Sequence, residues 1–319
     1  MTHVILINWR IKMYKKQSKI IITLFITMLL MFYITACAPA DHSEEQPSGS
    51  DLAESEILRI VSLSPSQTEN LFALGLEESI IGVSDYCDYP EEAMNKEKLG
   101  SSWTINLERV IELMPDLVFV YGESHAEALE QIKAAGIKVV NIEPETVESV
   151  FESIIITGEL TGKMDEANEI VGELRLEKQN LLEKVSERTP IPVFYQVWDE
   201  PLQTAGPESF IHELMTLAGG DNIAKDAEGA YPMYSVEALI ENNPEIYFMP
   251  PHVSDFESMT EEQAESIREE VRSRPGFDQI KAIKENRIEL LEPNIASRPG
   301  VRVIQGLRAF AEAMHPEVF

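Results

Sequence analysis

The sequence predicts an α/β protein of two similar lobes that face each other, each on a mostly parallel central sheet, joined by one long α-helix. Three observations carry this. A helix–proline–strand unit, Asn106–Gly122 (NLERVIELMPDLVFVYG), returns as Ser235–Pro250 (SVEALIENNPEIYFMP) at a constant offset. Asn106 to Ser235, Glu108 to Glu237 and Pro115 to Pro244 are each 129 residues apart. Two copies at so long a period mean a duplicated domain rather than a solenoid. Strand-like apolar runs alternate with helical stretches on both sides of the middle, as parallel sheets require. Between the halves, Asp165–Glu187 has no proline and no strand signal, and its apolar residues fall close to helical spacing. As one helix it is about 34 Å long at 1.5 Å per residue, enough to pass from one lobe to the other.

Within the repeated unit each residue type has a reason. Asn106 is a good helix N-cap, and Glu108 sits in the first turn, where the helix dipole favours a carboxylate. Val110, Ile111, Leu113 and Met114 form an apolar stripe, and Pro115 ends the helix. Asp116–Tyr121 is then a nearly continuous apolar run, the pattern of a strand buried on both faces. A looser echo relates Glu69–Gly75 to Glu213–Gly219 at an offset of 144.

The remaining elements follow in order. Leu58–Ser64 reads as a strand, Thr68–Leu74 as a helix closed by Gly75, and Ser79–Ser84 as a second strand. Asp85–Trp103 is loop-rich. After the repeated unit come a helix Glu127–Ala135, a strand Lys138–Glu143 and a helix Val147–Leu160. Beyond the long helix the second lobe starts with strand Val193–Trp198, a loop Asp199–Gly206 and helix Ser209–Leu217. Gly219–Asn222 reads as a turn, Ser254–Arg274 as an acidic helix and Arg287–Leu291 as a strand. Asn294–Gly300 reads as a loop and Val301–Met314 as the last helix. The expected organisation is residues 1–36 as an export signal, 37–56 as a flexible tether, 57–163 as the N-terminal lobe, 164–189 as the linking helix and 190–319 as the C-terminal lobe.

The N-terminus has its own grammar. Lys15, Lys16 and Lys19 precede an uncharged apolar stretch, Ile20–Ala36, the form of an export signal. Its end, Ile34-Thr-Ala-Cys37, resembles the bacterial lipobox, which implies diacylation of Cys37 and a lipid anchor on the extracytoplasmic face of the cell membrane. Two acyl chains hold where one gives only marginal binding. The alternative is an uncleaved membrane anchor, for which the stretch is short against the roughly 20 residues a span needs. Translation starting at Met13 instead of Met1 gives a tidier charged region. Ala38–Glu56, rich in Pro, Ser, Asp, Glu and Gly, buries too little apolar surface to offset its ordering entropy.

Charge excludes further classes. The chain carries 26 Lys and Arg against 55 Asp and Glu, and five of the basic residues lie in 1–36, which has no acidic ones. The remainder therefore holds 21 basic against 55 acidic residues, a formal −34. Such a surface repels nucleic acid. The two cysteines are Cys37 and Cys87; with the first acylated, no disulfide framework is possible. No Ser-His-Asp order, His-Glu-x-x-His, phosphate-binding glycine loop or paired-cysteine motif is visible, so no catalysis and no resident cofactor are read.

Six segments together resemble the class III substrate-binding proteins of bacterial ABC importers, which carry vitamin B12, ferric siderophores or haem. They are RIVSLSPSQTE (59–69), GVSDYCDYP (82–90), SSWTINLER (101–109), PDLV (115–118), LAGGDNIAKD (217–226) and SRPGVR (297–302). The resemblance covers about Leu58 to His315 and is nearest to the vitamin B12-binding branch. It implies two lobes on a rigid helix, with cobalamin or another corrinoid between them and an ABC permease dimer with its ATPase subunits as partner. Ligand-contact positions carried over are Tyr86, Trp103, Trp198, Tyr231 and Arg298. Tyr231 stands where that branch has a larger aromatic. The resemblance also assigns Glu108 and Glu237, one per lobe, as contacts to permease arginines.

The residue types suit a flat ligand. A corrin or porphyrin is a wide, mostly apolar plate with a polar fringe, which aromatic faces bury while a few polar groups orient it. Tyr86, Trp103 and Tyr231 sit in expected loops at strand ends, where open α/β sheets bind ligands. Taken singly, an aromatic is more often core than ligand wall. A ferric siderophore is the alternative, of hydroxamate type because a catecholate complex is strongly anionic and needs several cations; haem is another. Direct metal capture by His125 and His252, which both follow the repeated strand, is a third reading, short of the three or four ligands such sites use.

Overall fold

The computed structural model describes residues 57–101, 104–122, 126–251, 253 and 255–319. The export-signal, tether and lipobox readings, Cys37 included, therefore lie outside the described residues, as do Trp103, His125 and His252.

The first sheet consists of β1 (Ile60–Ser62), β2 (Ile80–Val83), β3 (Leu117–Val120) and β4 (Lys138–Asn141), in the order β2-β1-β3-β4 with every pair parallel. The second consists of β5 (Ile191–Asp199), β6 (Leu202–Thr204), β7 (Gly220–Asn222), β8 (Ile246–Met249) and β9 (Ile288–Leu290). There β7-β5-β8-β9 are parallel in the same order as the first sheet, and β6 adds an antiparallel strand to the outer half of β5. Strands β3 and β8 begin and end 129 residues apart, the offset read from sequence.

The repeat extends to backbone conformation. Helix α2 (Leu107–Glu112) has Asn106 as N-cap, accepting from Arg109 N–H, and helix α7 (Val236–Asn242) has Ser235, accepting from Ala238 N–H. Each unit turns into its proline through a non-glycine residue at positive φ, Met114 (44°) and Asn243 (46°), again 129 apart. L residues avoid that region unless neighbours impose it; here a proline immediately after it denies the helix continuation.

Three short elements depart from the sequence reading. Asp199–Gly206 contains β6, and Gly219–Asn222 is strand β7 after Gly219, whose φ of +89° makes the turn. Neither strand has an apolar run; each forms because β5 has backbone groups along that edge that need partners. Asn294–Gly300 begins inside a short helix, α10 (Pro293–Ser297), capped by Glu292, which accepts from Asn294 and Ile295 N–H. The acidic helix α8 runs only over Glu261–Arg272, started by a Thr260/Gln263 capping box that fixes its entry.

Burial explains how the halves are joined. Along each central strand side chains alternate between faces. Val61, Val118 and Val120 enter an outer cluster of the first lobe, and Phe194, Tyr247 and Met249 one of the second. Ile60, Leu117, Phe119, Val193, Tyr195, Ile246 and Phe248, from the opposite faces, all join one cluster. That shared core is filled by α1 (Pro65–Ala73), α4 (Val147–Thr161), α6 (Phe210–Leu217), α11 (Val303–Met314) and the long helix α5 (Met164–Val185). Helix α5 buries Ala167, Val171, Leu181 and Val185 and packs on α4 and α11. The link between lobes is thus a continuous apolar core as well as a helix, which leaves little freedom for one lobe to move on the other.

Candidate functional site

A cavity of about 340 Å³ opens at the carboxyl ends of the first sheet's strands. Leu63, just after β1, and Val120, Tyr121 and Gly122, at the end of β3, form one wall. Ser64, Pro65 and Ser66 at the start of α1 and Ser101 and Ile105 extend it, and Tyr231 with Ser297, Arg298 and Pro299 closes it from the second half. Ser64 is the N-cap of α1, so the cavity touches a helix start as well as strand ends.

Tyr231 is held by a strap along β6. Gly206 N–H donates to Ala230 O (2.8 Å), Thr204 N–H to Pro232 O (3.1 Å) and Tyr234 N–H to Leu202 O (2.9 Å). Its ring is half-exposed, and burial of the hydroxyl raises its pKa. Facing it is Tyr121, also half-exposed, whose pKa is raised by burial first and then by the neighbouring Tyr231 and by Glu143 and Glu145. Tyr121 was not among the sequence candidates, because it reads there as the last residue of a buried strand. A signal was available: position 250, its counterpart in the repeat, is proline, so the two strand ends had already diverged.

Arg298 lines the cavity, but its guanidinium is occupied. Nη1 donates to Asp88 Oδ1 (2.6 Å) and Glu69 Oε1 (3.3 Å), and Nη2 to Asp88 Oδ2 (3.2 Å) and Tyr86 O (3.2 Å). Burial works against its charge, and the bonds and charges of Asp88 and Glu69 more than reverse this, so its pKa is raised. One turn on, Arg302 donates to both oxygens of Glu69 (2.9 and 2.7 Å) and lies 3.9 Å over the Tyr89 ring. The segment between them fits tightly on α1: Val301 N–H donates to Asn70 Oδ1 (2.9 Å), and a Cβ on Gly300 would come 3.2 Å from Ser66 O. Two carboxylates of the first half therefore clamp two arginines of the second beside the cavity.

The other sequence candidates fall as follows. Tyr86 contributes its carbonyl to Arg298, and its ring is half-exposed. Trp198 belongs to β5 itself, paired with Gln203, and donates from Nε1 to Glu200 O (3.0 Å); it is not part of the cavity lining. Glu108 and Glu237 are exposed in the first turns of α2 and α7, and neither has an ion-pair partner among the described residues. Cys87 is buried, its Sγ accepting from Thr68 Oγ1 at 3.1 Å. Among the described residues no group of three or more His, Cys, Asp or Glu could hold a metal ion, and no helix is long and apolar enough to cross a membrane.

A second, shallower groove lies on the seam between halves, lined by Glu145, Thr146, Glu208, His212 and Glu213 among others. Glu213 accepts from Val147 N–H at 2.6 Å, so the start of α4 is capped from the other half. Burial raises the pKa of Glu213, partly offset by that hydrogen bond, and burial lowers that of His212.

The chain is similar to known proteins in sequence and in fold. An uncharacterized ABC transporter substrate-binding lipoprotein of Bacillus subtilis, YvrC, is 31% identical over 269 residues, 82% of this chain and 81% of that protein. A vitamin B12-binding protein of Photorhabdus laumondii is 35% identical over 190 residues, 59% of this chain and 69% of that one. The crystal structure of a possible iron-binding (periplasmic solute-binding) protein from Staphylococcus epidermidis superposes with a TM-score of 0.69 at 29% identity, covering 81% of this chain and 98% of that one. Residues 60–295 match the model of the periplasmic binding protein family, a span that holds both sheets, and the chain belongs to this family.

Proposed function

We propose that this chain is the extracytoplasmic substrate-binding component of an ABC importer, held to the membrane by lipid on Cys37, and that it delivers a corrinoid to the permease. In this reading residues 57–163 and 190–319 are the two lobes and 164–189 the connecting helix. The observation that carries the ligand class is the state of Arg298. It is the only cation among the described residues that line the cavity, and two carboxylates already neutralise it. A ligand with carboxylate fringes, such as haem, or a triply charged ferric catecholate finds no available counter-charge among the described lining residues, and burying an unpaired charge is strongly unfavourable. An amide-fringed corrin needs no counter-charge and meets an uncharged lining of small serines and the rings of Tyr121 and Tyr231, which suits neutral polar and apolar contact. A neutral ferric hydroxamate satisfies the same charge condition and is the second reading.

Tyr86 and Trp198 would extend the apolar contact beyond the cavity, Trp103 is a further expected ligand contact, and Glu108 and Glu237 would meet the two permease subunits, one from each lobe. A duplicated binder on a two-fold permease needs one such contact per half. The test is a visible-absorption titration of the full chain in detergent against cyanocobalamin, a neutral ferric trihydroxamate and haem. Saturable binding of cyanocobalamin with quenched tryptophan emission is expected, weakened in Trp103→Ala by more than about 1 kcal/mol, the scale of a stacked aromatic contact. Saturable binding of haem with none of cyanocobalamin would overturn the reading.

A further inference from the structure

The cluster beside the cavity holds two guanidinium groups, Arg298 and Arg302, and three carboxylates, Glu69, Asp88 and Glu292. The carboxylates divide their work. Glu69 is almost fully buried, and both its oxygens serve Arg302, so its contact to Arg298 is the long one at 3.3 Å. Asp88 is half-exposed and spends both oxygens on Arg298. A planar guanidinium offers a paired fork that one carboxylate fills. Asp88 therefore fills the fork that a ligand carboxylate would need.

The position of Asp88 is built in. Lys98 Nζ donates to Cys87 O at 2.7 Å, Cys87 N–H donates to Ser84 O at 3.1 Å, and the Cys87 thiol is buried against Thr68. On the other side the Tyr89 ring lies under Arg302. The backbone just before Asp88 is thus fixed to structure that does not depend on its charge.

We propose that Asp88 sets the ligand charge this cleft accepts: it occupies Arg298 in a two-point ion pair and so reserves the cleft for uncharged fringes, and loss of its charge turns Arg298 into a receptor for a ligand carboxylate. This rests on the cavity being the ligand site, and deepens that reading by naming the residue that decides between amide and carboxylate ligands. Asp88 acts through Arg298 as a positioning residue.

The experiment measures two affinity ratios on the full chain in detergent. One compares the amide-fringed corrin cobinamide with the carboxylate-fringed cobyrinic acid, which share plate and metal. The other compares a neutral ferric trihydroxamate with an anionic ferric triscatecholate, so a failure of the corrin reading alone leaves the charge ratio measurable. The wild-type chain should favour the uncharged member by about tenfold or more. In Asp88→Asn that preference should shrink by about tenfold, equivalent to about 1.4 kcal/mol, and Asp88→Glu should restore it. The double variant Asp88→Asn/Arg298→Gln should lose the gain, since the receptor is gone. A thermal melt of each variant separates these effects from unfolding. An unchanged ratio in folded Asp88→Asn, a gain that persists in the double variant, or a wild-type preference for the anionic member would each overturn the proposal.

Discussion

Replacing Glu69 by Gln should be the most damaging conservative change in the molecule outside the apolar core. The Glu69 side chain is 1% exposed and accepts from Arg302 Nε and Nη2 and from Arg298 Nη1. Gln keeps the volume and one carbonyl oxygen but turns an amide donor toward guanidinium donors. Removing one partner of a buried ion pair costs about 3–5 kcal/mol, because the other charge stays buried. The lower end applies here. Arg302 keeps Glu292 at 3.9 Å and the Tyr89 ring, and Arg298 keeps Asp88. A loss of about 3 kcal/mol is a large share of the roughly 5–15 that a folded domain has. At about 2–4 °C per kcal/mol for chains of this size, Tm should fall by about 6–12 °C, with the urea midpoint lowered and the slope unchanged. The loss should be local as well as global: exchange of the Val301 amide, bonded to Asn70 on α1, should accelerate before that of the central strands. A loss below about 1 kcal/mol would make the cluster equivalent to an exposed ion pair and refute the reasoning.

Charge reversal at Glu108 or Glu237 to Lys should leave ligand affinity intact and reduce transport, and the double reversal should abolish coupling to the permease. A double variant that transports normally would reduce both residues to carboxylates that complement a helix dipole, worth roughly 0.3–1 kcal/mol each. Glu213→Gln tests the seam through pH. Burial raises the folded pKa of Glu213 above an unfolded value of about 4.3, so its contribution to stability is full below the unfolded pKa and is lost as pH rises through the folded one. Gln cannot ionise and still accepts from Val147 N–H, so its Tm advantage over wild type should grow from about pH 4 toward neutrality. An advantage that grows toward acid instead would contradict that sign.

Local signals made much of the fold legible. The caps Asn106 and Ser235, the prolines at 115 and 244 and the apolar runs after them are all specified within a few residues. Helix α5 was readable for the same reason, as a 22-residue element of helical apolar spacing with no proline and a single glycine, Gly172. Strands β6 and β7 and helix α10 were not, because what forms them is an open edge of β5 and a capping glutamate rather than any periodicity of their own. The shared core was also hidden: periodicity says that Ile60 and Val193 face inward, but not that they face into the same cluster.

The candidate site divides in the same way. Arg298 could be named from sequence because the segment 297–302 carries it, and Tyr231 because the resemblance expects an aromatic there, and the structure puts both on one cavity. Tyr121 could not, since an aromatic at the end of an apolar strand reads as core until the strand's neighbours are known. Nor could the state of Arg298. Its counter-charges Glu69 and Asp88 lie 229 and 210 residues away in the chain, and no local pattern relates them. The sequence by itself determined the two lobes, the helix between them and the acidic surface, because caps, breakers and apolar periods act over one or two turns. Whether the cleft between those lobes offers a free cation or a neutral wall was decided only by tertiary structure, because a charge is neutralised by what packs against it and not by what adjoins it in the chain.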